Sequence, residues 1–548
     1  MKAAFWAAAF PDQSRHEWRD MEHRLAGRTV FRPRFGNLTT SDILLILICA
    51  GIALLRWQII SASPEPSGLD GGNWLAIGHQ MLGSGWRSAL ALYPPVVPLL
   101  MAVLGSFWGP MLAAEALATV SSLAPSIGVY VLMRETLRVR AAILAGLLAT
   151  SATVGEAAAW GGYPQLLGLG AVALLLWAVN RFVLMPDPAR AFVISVFLFL
   201  ALASNELVGV SALVIAGIYL VVRLRQIGPQ VRSGPRLLAV SLVIATLPSA
   251  LLIPVYVAIG RGYVENEATR VSNQHVDIAN LFSNLNNLFK DNVGLWYVIL
   301  AIAFASPLIL LVKRVEARRR QRNGFGRPLA AASTAVMLAV VIGALAIGEV
   351  RLLYLLPVAM IISLGAWWTL LAQARGPIAA SLDHVLVGVM ALVLAVEAAL
   401  LMPTFQAQVQ WYTVLSPGLV SGLHDLDRVA DRHAIIAVSP AANPTNQDGW
   451  PLGWWVEGLL GRPTYSASDF QWLNTRDERT RATIANDMFA PSKGIGYAIG
   501  IAQKHQIQYL VVATGWKGYQ QWISGKPPPT AVSPVTQNES VLILSVRD

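Results

Sequence analysis

The chain has 548 residues, of which 55% are hydrophobic and only 13% charged, and its mean hydropathy is +0.53. A soluble protein of this size needs more charge to cover its surface, so the composition excludes a purely soluble enzyme. The formal net charge is +10, but the basic residues cluster in short segments between apolar runs. That is the positive-inside pattern of a polytopic membrane protein, not the footprint of a nucleic-acid partner.

In chain order, residues 1–40 are polar and basic and read as a cytoplasmic segment without a cleavable signal peptide. The apolar run 43–60 is then an uncleaved anchor. It contains Cys49, the single cysteine, so no intramolecular disulfide forms. Residues 61–109 make the first extracytoplasmic loop, with 93–108 an interfacial or re-entrant helix. Further spans are expected at 110–133, 141–160 and 166–182. The run 191–222 lies between two arginine clusters and must cross an even number of times, giving two short helices with a hairpin at Asn205 and Glu206. Spans at 237–259, 293–312, 329–347, 352–371 and 384–402 complete a transmembrane domain over 41–402, about eleven helices in all. Past Pro403 the charges balance. The segments HAIIAVS, RATIANDMF, GIGYAIGIAQKHQIQYLVVATG and ESVLILSV alternate strand-like and helical patterns, which predicts an extracytoplasmic α/β domain over 403–548.

This topology places ionisable groups from four connections on one face. PSGLDGGNW brings Asp70, with His79 a little further on. GEAAAWGGYP brings Glu156 and Tyr163, the SNE hairpin Asn205 and Glu206, and GEVRLLYLLP Glu349, Arg351 and Tyr354. Each has two readings. Asp70 either caps the helix that follows it or acts as a working carboxylate. Glu156 and Glu206 are polar helix ends or cavity groups. Arg351 either snorkels to the interface or meets a phosphate. His79 is an interfacial residue or a ligand-facing one. His275 and Asp277 show no metal spacing. The tryptophans of WPLGWWVEGLLGRP either stack on sugar rings or plug the C-terminal domain onto the membrane. A carboxylate base, an arginine at the membrane boundary and a wet cavity together suit transfer of a group from a lipid phosphate to an acceptor hydroxyl.

An acidic residue opening an amphipathic helix in the first loop, a YPP at Tyr93–Pro95 and the RLLYLLP run at Arg351–Pro357 resemble the GT-C membrane glycosyltransferases. That group includes the protein O-mannosyltransferases, the aminoarabinose transferases and the catalytic subunit of oligosaccharyltransferase. The resemblance covers roughly 40–402. It implies a polyprenyl-phosphate-linked sugar donor, an envelope glycan, lipid or protein acceptor, and inverting transfer on the outer face of the cytoplasmic membrane. By position, Asp70 matches the catalytic acidic residue and Arg351 a phosphate contact, while Glu156, Tyr163, Asn205, Glu206, Tyr354 and His79 are substrate-binding candidates. Gly71 and Gly72 follow Asp70, so an Asp-x-Asp pair is absent, and Trp454–Trp455 is followed by Val456–Glu457 rather than a WWDYG-type signature. No metal or other cofactor is expected. Rival readings are a lipid or polysaccharide transporter or flippase, and a non-catalytic envelope scaffold.

Overall fold

The computed structural model describes residues 38–63, 65–83, 93–184, 187–233, 235–266, 280–310, 326–347, 349–373, 377–440, 452–466, 476–525 and 531–547. His275, Asp277, Trp450 and nearly all of the N-terminal segment lie outside them.

The first apolar run is helix α1 (Thr40–Ile60). It starts at a capping box in which Thr39 and Asp42 satisfy each other's free N–H groups. A short α2 (Gly71–Met81) and an apolar α3 (Val96–Trp108) follow. The chain continues through α4 (Pro110–Ser121) and α5 (Ala124–Leu137), which together form one span, then α6 (Val139–Thr150), α7 (Ala152–Trp160), α8 (Tyr163–Leu184), α9 (Pro188–Ser204) and α10 (Glu206–Ser233). Next come α11 (Pro235–Thr246), a 3-10 turn (Leu247–Leu252), α12 (Ile253–Asn266), α13 (Leu281–Phe289), α14 (Leu295–Phe304) and α15 (Gly326–Ile347). A second 3-10 turn (Val350–Leu355) leads into α16 (Leu356–Gln373) and the long α17 (Pro377–Tyr412).

Among the described residues seven helices are long and apolar enough to cross a membrane, or eight with the bent pair α6–α7 as one span. Three of the eleven expected spans, within α9, α14 and α15, are apolar helices of 10–17 residues and fall short of that test. The hairpin at 204–206 is as expected, with Asn205 extended between the two helices and its Oδ1 accepting from the Val208 N–H at 3.0 Å. The second arm is longer than expected and runs on to Ser233, through Gly228 and Pro229.

The bend between α6 and α7 is 48°. Its freed backbone groups are taken up by neighbouring helices, as a break at membrane depth requires. Arg56 of α1, fully buried, donates to Ala149 O at 2.7 Å, Asn292 Oδ1 accepts from Ala152 N at 2.9 Å, and Gln408 Nε2 donates to Ala152 O at 3.1 Å. This bend aims the α7 end, with Glu156 and Trp160, at the loop before α2.

The boundary expected at 402/403 is not a helix end, since α17 continues through Pro403 to Tyr412. The turn after the proline is anchored by the fully buried Phe405 and by the Gln408 bond, which compensate the N–H that proline lacks. Helix α18 (Pro417–Val429) then leads to a four-stranded sheet built of β1 (Ile436–Val438), β2 (Tyr509–Ala513), β3 (Val532–Gln537) and β4 (Val541–Val546). The strand order is β1-β2-β4-β3, with β1 and β2 parallel and the other pairs antiparallel. Alternation sends Ile436, Val438, Val511, Val541 and Ile543 toward the core shared with the bundle. Ala437, Leu510, Val512, Leu542 and Leu544 face a second core under α20 (Arg476–Met488) and α21 (Gly494–Lys504). Strand β3 was not expected. Pro534 speaks against a central strand, and β3 is accordingly the edge strand, with a bulge between Pro534 and Thr536. Between β1 and α20 lies α19 (Gly453–Leu460).

The bundle has two distinct ends. Arg134, Arg140, Arg181 and Arg190 sit at one. The starts of α2, α8 and α10, the end of α7 and the second 3-10 turn meet at the other, on the side where the C-terminal sheet docks.

Candidate active site

Asp70 occupies the N-cap position of α2, but its side chain makes no cap hydrogen bond. The loop before it is held by backbone instead. Leu69 N and Asp70 N both donate to Trp160 O, at 3.0 and 3.4 Å, and Gly68 N donates to Tyr412 O at 3.2 Å. Gly68 adopts φ +111°, a left-handed conformation in which a Cβ would also press on the Gly161 backbone at 3.2 Å, so glycine is required there. Trp74 closes the other side by donating from Nε1 to Gly161 O at 2.8 Å and packing on Tyr93 with ring centroids 4.5 Å apart.

The Asp70 carboxyl is deeply set yet still touches solvent, as at the bottom of a cleft. Burial pushes it up to about 7; the Arg351 guanidinium pulls it down and the Glu206 carboxylate pushes it further up. Arg351 is oriented by Glu349, whose carboxylate accepts from its Nε at 3.0 Å and its Nη2 at 3.2 Å. Its Nη1 points toward Glu206 Oε1 at 3.9 Å, and its backbone carbonyl accepts from Gln165 Nε2 at 3.0 Å. The planar fork held this way suits an oxyanion ligand.

The other predicted residues sort around this pair. Asn205 donates to the Tyr93 hydroxyl at 3.0 Å, tying the α9–α10 hairpin to the first loop. The Oε2 of Glu206 and the hydroxyl of Tyr163 are buried without a hydrogen-bond partner. Tyr163, two residues past Gly161, lies within the electrostatic reach of Asp70. Glu156 accepts from the Tyr412 hydroxyl at 3.0 Å, and Tyr354 sits against both Glu156 and Trp160. The structure thus gathers Asp70, Tyr163, Glu206, Asn205, Arg351, Glu156 and Tyr354 at one end of the bundle. His79 is not there. It lies near the far end of α2, roughly 13 Å along the axis at ~1.5 Å per residue, where burial pushes its imidazole below its ordinary value.

The sequence offers Tyr93 only within its YPP motif and puts Tyr412 past the expected domain boundary, so neither stands out there as a site residue. Trp455 of α19, from the tryptophan-rich stretch, packs on Gly71 and Gly72. The spaced glycines of LDGG and WVEG were the available signal for that last contact. Among the described residues no group of three or more His, Cys, Asp or Glu side chains is arranged to hold a metal ion.

No protein-family model matches this sequence, and no curated protein matches it. Solved structures do. ArnT from Cupriavidus metallidurans, bound to undecaprenyl phosphate, is similar over 92% of this chain and 97% of its own, at 14% identity and a TM-score of 0.53. The arabinofuranosyltransferase AftD from Mycobacteria is similar over 93% of this chain at 16% identity and a TM-score of 0.58, although this covers only 40% of AftD. The Archaeoglobus fulgidus oligosaccharyltransferase, in complex with Zn and sulfate, matches over 88% of this chain and 70% of its own, at 13% identity and a TM-score of 0.50. All three are GT-C membrane glycosyltransferases, and the chain has the fold they share.

Proposed function

We propose that this protein is a membrane glycosyltransferase that moves a sugar from a polyprenyl-phosphate donor to a hydroxyl group of a cell-envelope acceptor, with inversion. The observation that carries the reading is Asp70. It stands where a helix cap stands, caps nothing, and faces Arg351 across a cleft with its carboxyl raised to about 7. A base of that strength is matched to taking a proton from an attacking hydroxyl near neutral pH.

In the step this geometry supports, the acceptor oxygen attacks the anomeric carbon from the face opposite the phosphate and its proton passes to Asp70. The bond from the anomeric carbon to the phosphate oxygen breaks, and Arg351 takes up the charge left on the lipid phosphate. Glu349 keeps the guanidinium plane fixed, so less freedom is lost when the phosphate arrives. Glu156 with Tyr354 and Tyr412, together with Asn205 and Tyr93, supplies polar and aromatic walls for the two substrates. ArnT with its undecaprenyl phosphate supports a lipid-phosphate donor by likeness of fold. The arginines at the opposite end of the bundle support a cytoplasmic location for that end, which puts the cleft and the C-terminal part of the chain outside.

The test is transfer by purified full-length protein and its Asp70→Asn variant. Each is incubated with undecaprenyl-phosphate-linked mannose, arabinose or aminoarabinose and a cell-envelope extract. Turnover by the wild type and none by a folded Asp70→Asn variant is the expected result. Equal turnover in both would remove Asp70 from the chemistry. Vesicle-to-vesicle movement of the intact lipid-linked sugar without cleavage would favour a flippase instead.

A further inference from the structure

Helix α19 lies across the first turn of α2. Trp455 is fully buried there, and its Nε1 donates to Gly68 O at 2.8 Å. Its ring covers Gly71, where a Cβ would meet Cζ2 at 2.5 Å, and its backbone covers Gly72, where a Cβ would meet the Trp455 Cα at 2.4 Å. In return a Cβ on Gly458 would meet Gly72 O at 2.5 Å. Three glycines from two segments far apart in the chain therefore exist in register, and any side chain at one of them forces the helices apart. Two consecutive glycines also make a weak first helical turn, so α2 depends on this outside support where it begins.

Helix α19 is in turn fastened to the C-terminal sheet. Glu457 Oε1 accepts from the Thr464 hydroxyl at 2.6 Å, Ile436 N of β1 donates to Pro463 O at 3.0 Å, and Tyr465 N donates to Ile436 O at 2.7 Å. A continuous path of short contacts thus joins the sheet to the loop that carries Asp70.

We propose that Trp455 is a positioning residue for Asp70, through which the C-terminal part of the chain sets both the placement of the carboxylate opposite Arg351 and its shielding from water. This rests on the reading of Asp70 as the base. The charged and titratable groups that face Asp70 are Arg351 and Glu206, with the hydroxyls of Tyr93 and Tyr163. None of them belongs to α19 or to the 68–72 segment. Loss of the indole therefore acts by loosening the 68–72 backbone and admitting water, which lowers the carboxyl toward its ordinary value.

The experiment compares full-length Trp455→Phe and Trp455→Ala with Trp522→Phe. Trp522 is equally buried, donates to Met488 O at 3.1 Å and belongs to the second core, away from α2. Hydrogen exchange of peptides spanning 66–75 is expected to quicken in Trp455→Ala, to a lesser degree in Trp455→Phe, and not at all in Trp522→Phe. Binding of undecaprenyl phosphate is expected to stay at the wild-type level. Transfer should lose roughly 10- to 100-fold in kcat, with KM for the donor unchanged. The acid limb of kcat/KM should move to lower pH. Wild-type exchange at 66–75 in Trp455→Ala, with unchanged kcat and acid limb, overturns the proposal. Retained transfer in Asp70→Asn would remove the base reading alone, and the exchange data would still decide whether Trp455 holds the loop.

Discussion

At the arginine-rich end of the bundle, Asp42 accepts from the Tyr130 hydroxyl at 2.6 Å and faces Arg134 at 3.4 Å. Asp383 takes Arg140 Nε at 2.9 Å together with the Trp368 indole at 2.8 Å, Glu135 pairs with Arg181, and Asp187 caps α9 while pairing with Arg190. At the opposite end, Asp70 makes no side-chain cap bond, one oxygen of Glu206 and the Tyr163 hydroxyl have no partner among the described residues, and Arg351 serves Glu349, Glu206 and Asp70. Both ends use the same residue types. One pairs each of the carboxylates just named with a cation or a donor, although the buried Arg223 there keeps Nε and Nη1 without a partner among the described residues. The other leaves Asp70, Glu206 and Glu349 around Arg351, with Lys290 acting on Glu156, an arrangement whose cost in stability is expected where a ligand completes the site.

The largest effect that sharpens this contrast is at Asp70. Asp70→Asn is expected to lower transfer by roughly 10²- to 10⁴-fold in a steady-state assay. The same variant should be more stable than wild type at pH 8. The folded-state carboxyl is raised, so its favourable contribution is present while it is protonated and is lost as pH rises through about 7. Thermal unfolding midpoints should therefore differ most at pH 8, draw together as pH falls, and converge only below about pH 4. A wild type more stable than Asp70→Asn at pH 8 would break the comparison.

Next comes Arg351→Lys, which keeps the charge but not the fork. It should cost roughly 10²-fold or more in kcat, with weaker binding of undecaprenyl phosphate in a direct titration. A smaller effect is expected from Glu206→Gln. Removing that carboxylate lowers the Asp70 carboxyl, so the acid limb of the pH–kcat/KM profile should shift to lower pH, and a shift to higher pH would contradict the assignment. The smallest effect on chemistry is expected at the paired end. Asp383→Asn should cost about 1–3 kcal/mol of stability through the lost charge-assisted bonds, measured by denaturation in detergent, and leave kcat per folded molecule unchanged.

Much of the fold was legible because burial in lipid leaves a plain signal. Most of the apolar segments lie on helices, some split between two, and among the described residues Arg134, Arg140, Arg181 and Arg190 gather at one end. The C-terminal strands with clean apolar runs were readable as well. Strand β3 was not, since its proline masks an edge strand that only β4 completes. Helix α17 overran the expected boundary because the anchoring of Phe405 and Gln408 comes from α1, α7 and their neighbours, which no local pattern encodes.

By itself, then, the sequence determined the class of the molecule, the position of most of its apolar helices, and the short list of ionisable groups at one end. These follow from composition and period, which are local and additive. That Asp70 makes no cap hydrogen bond depended on where its side chain pointed. That is set by Trp160, Gly161 and Tyr412 on the far sides of two other helices. Which arginine met which carboxylate, and why LDGG needs its glycines, was likewise decided only when α19 packed onto α2. Contacts between residues hundreds of positions apart are properties of the packed chain, and no stretch of it carries them alone.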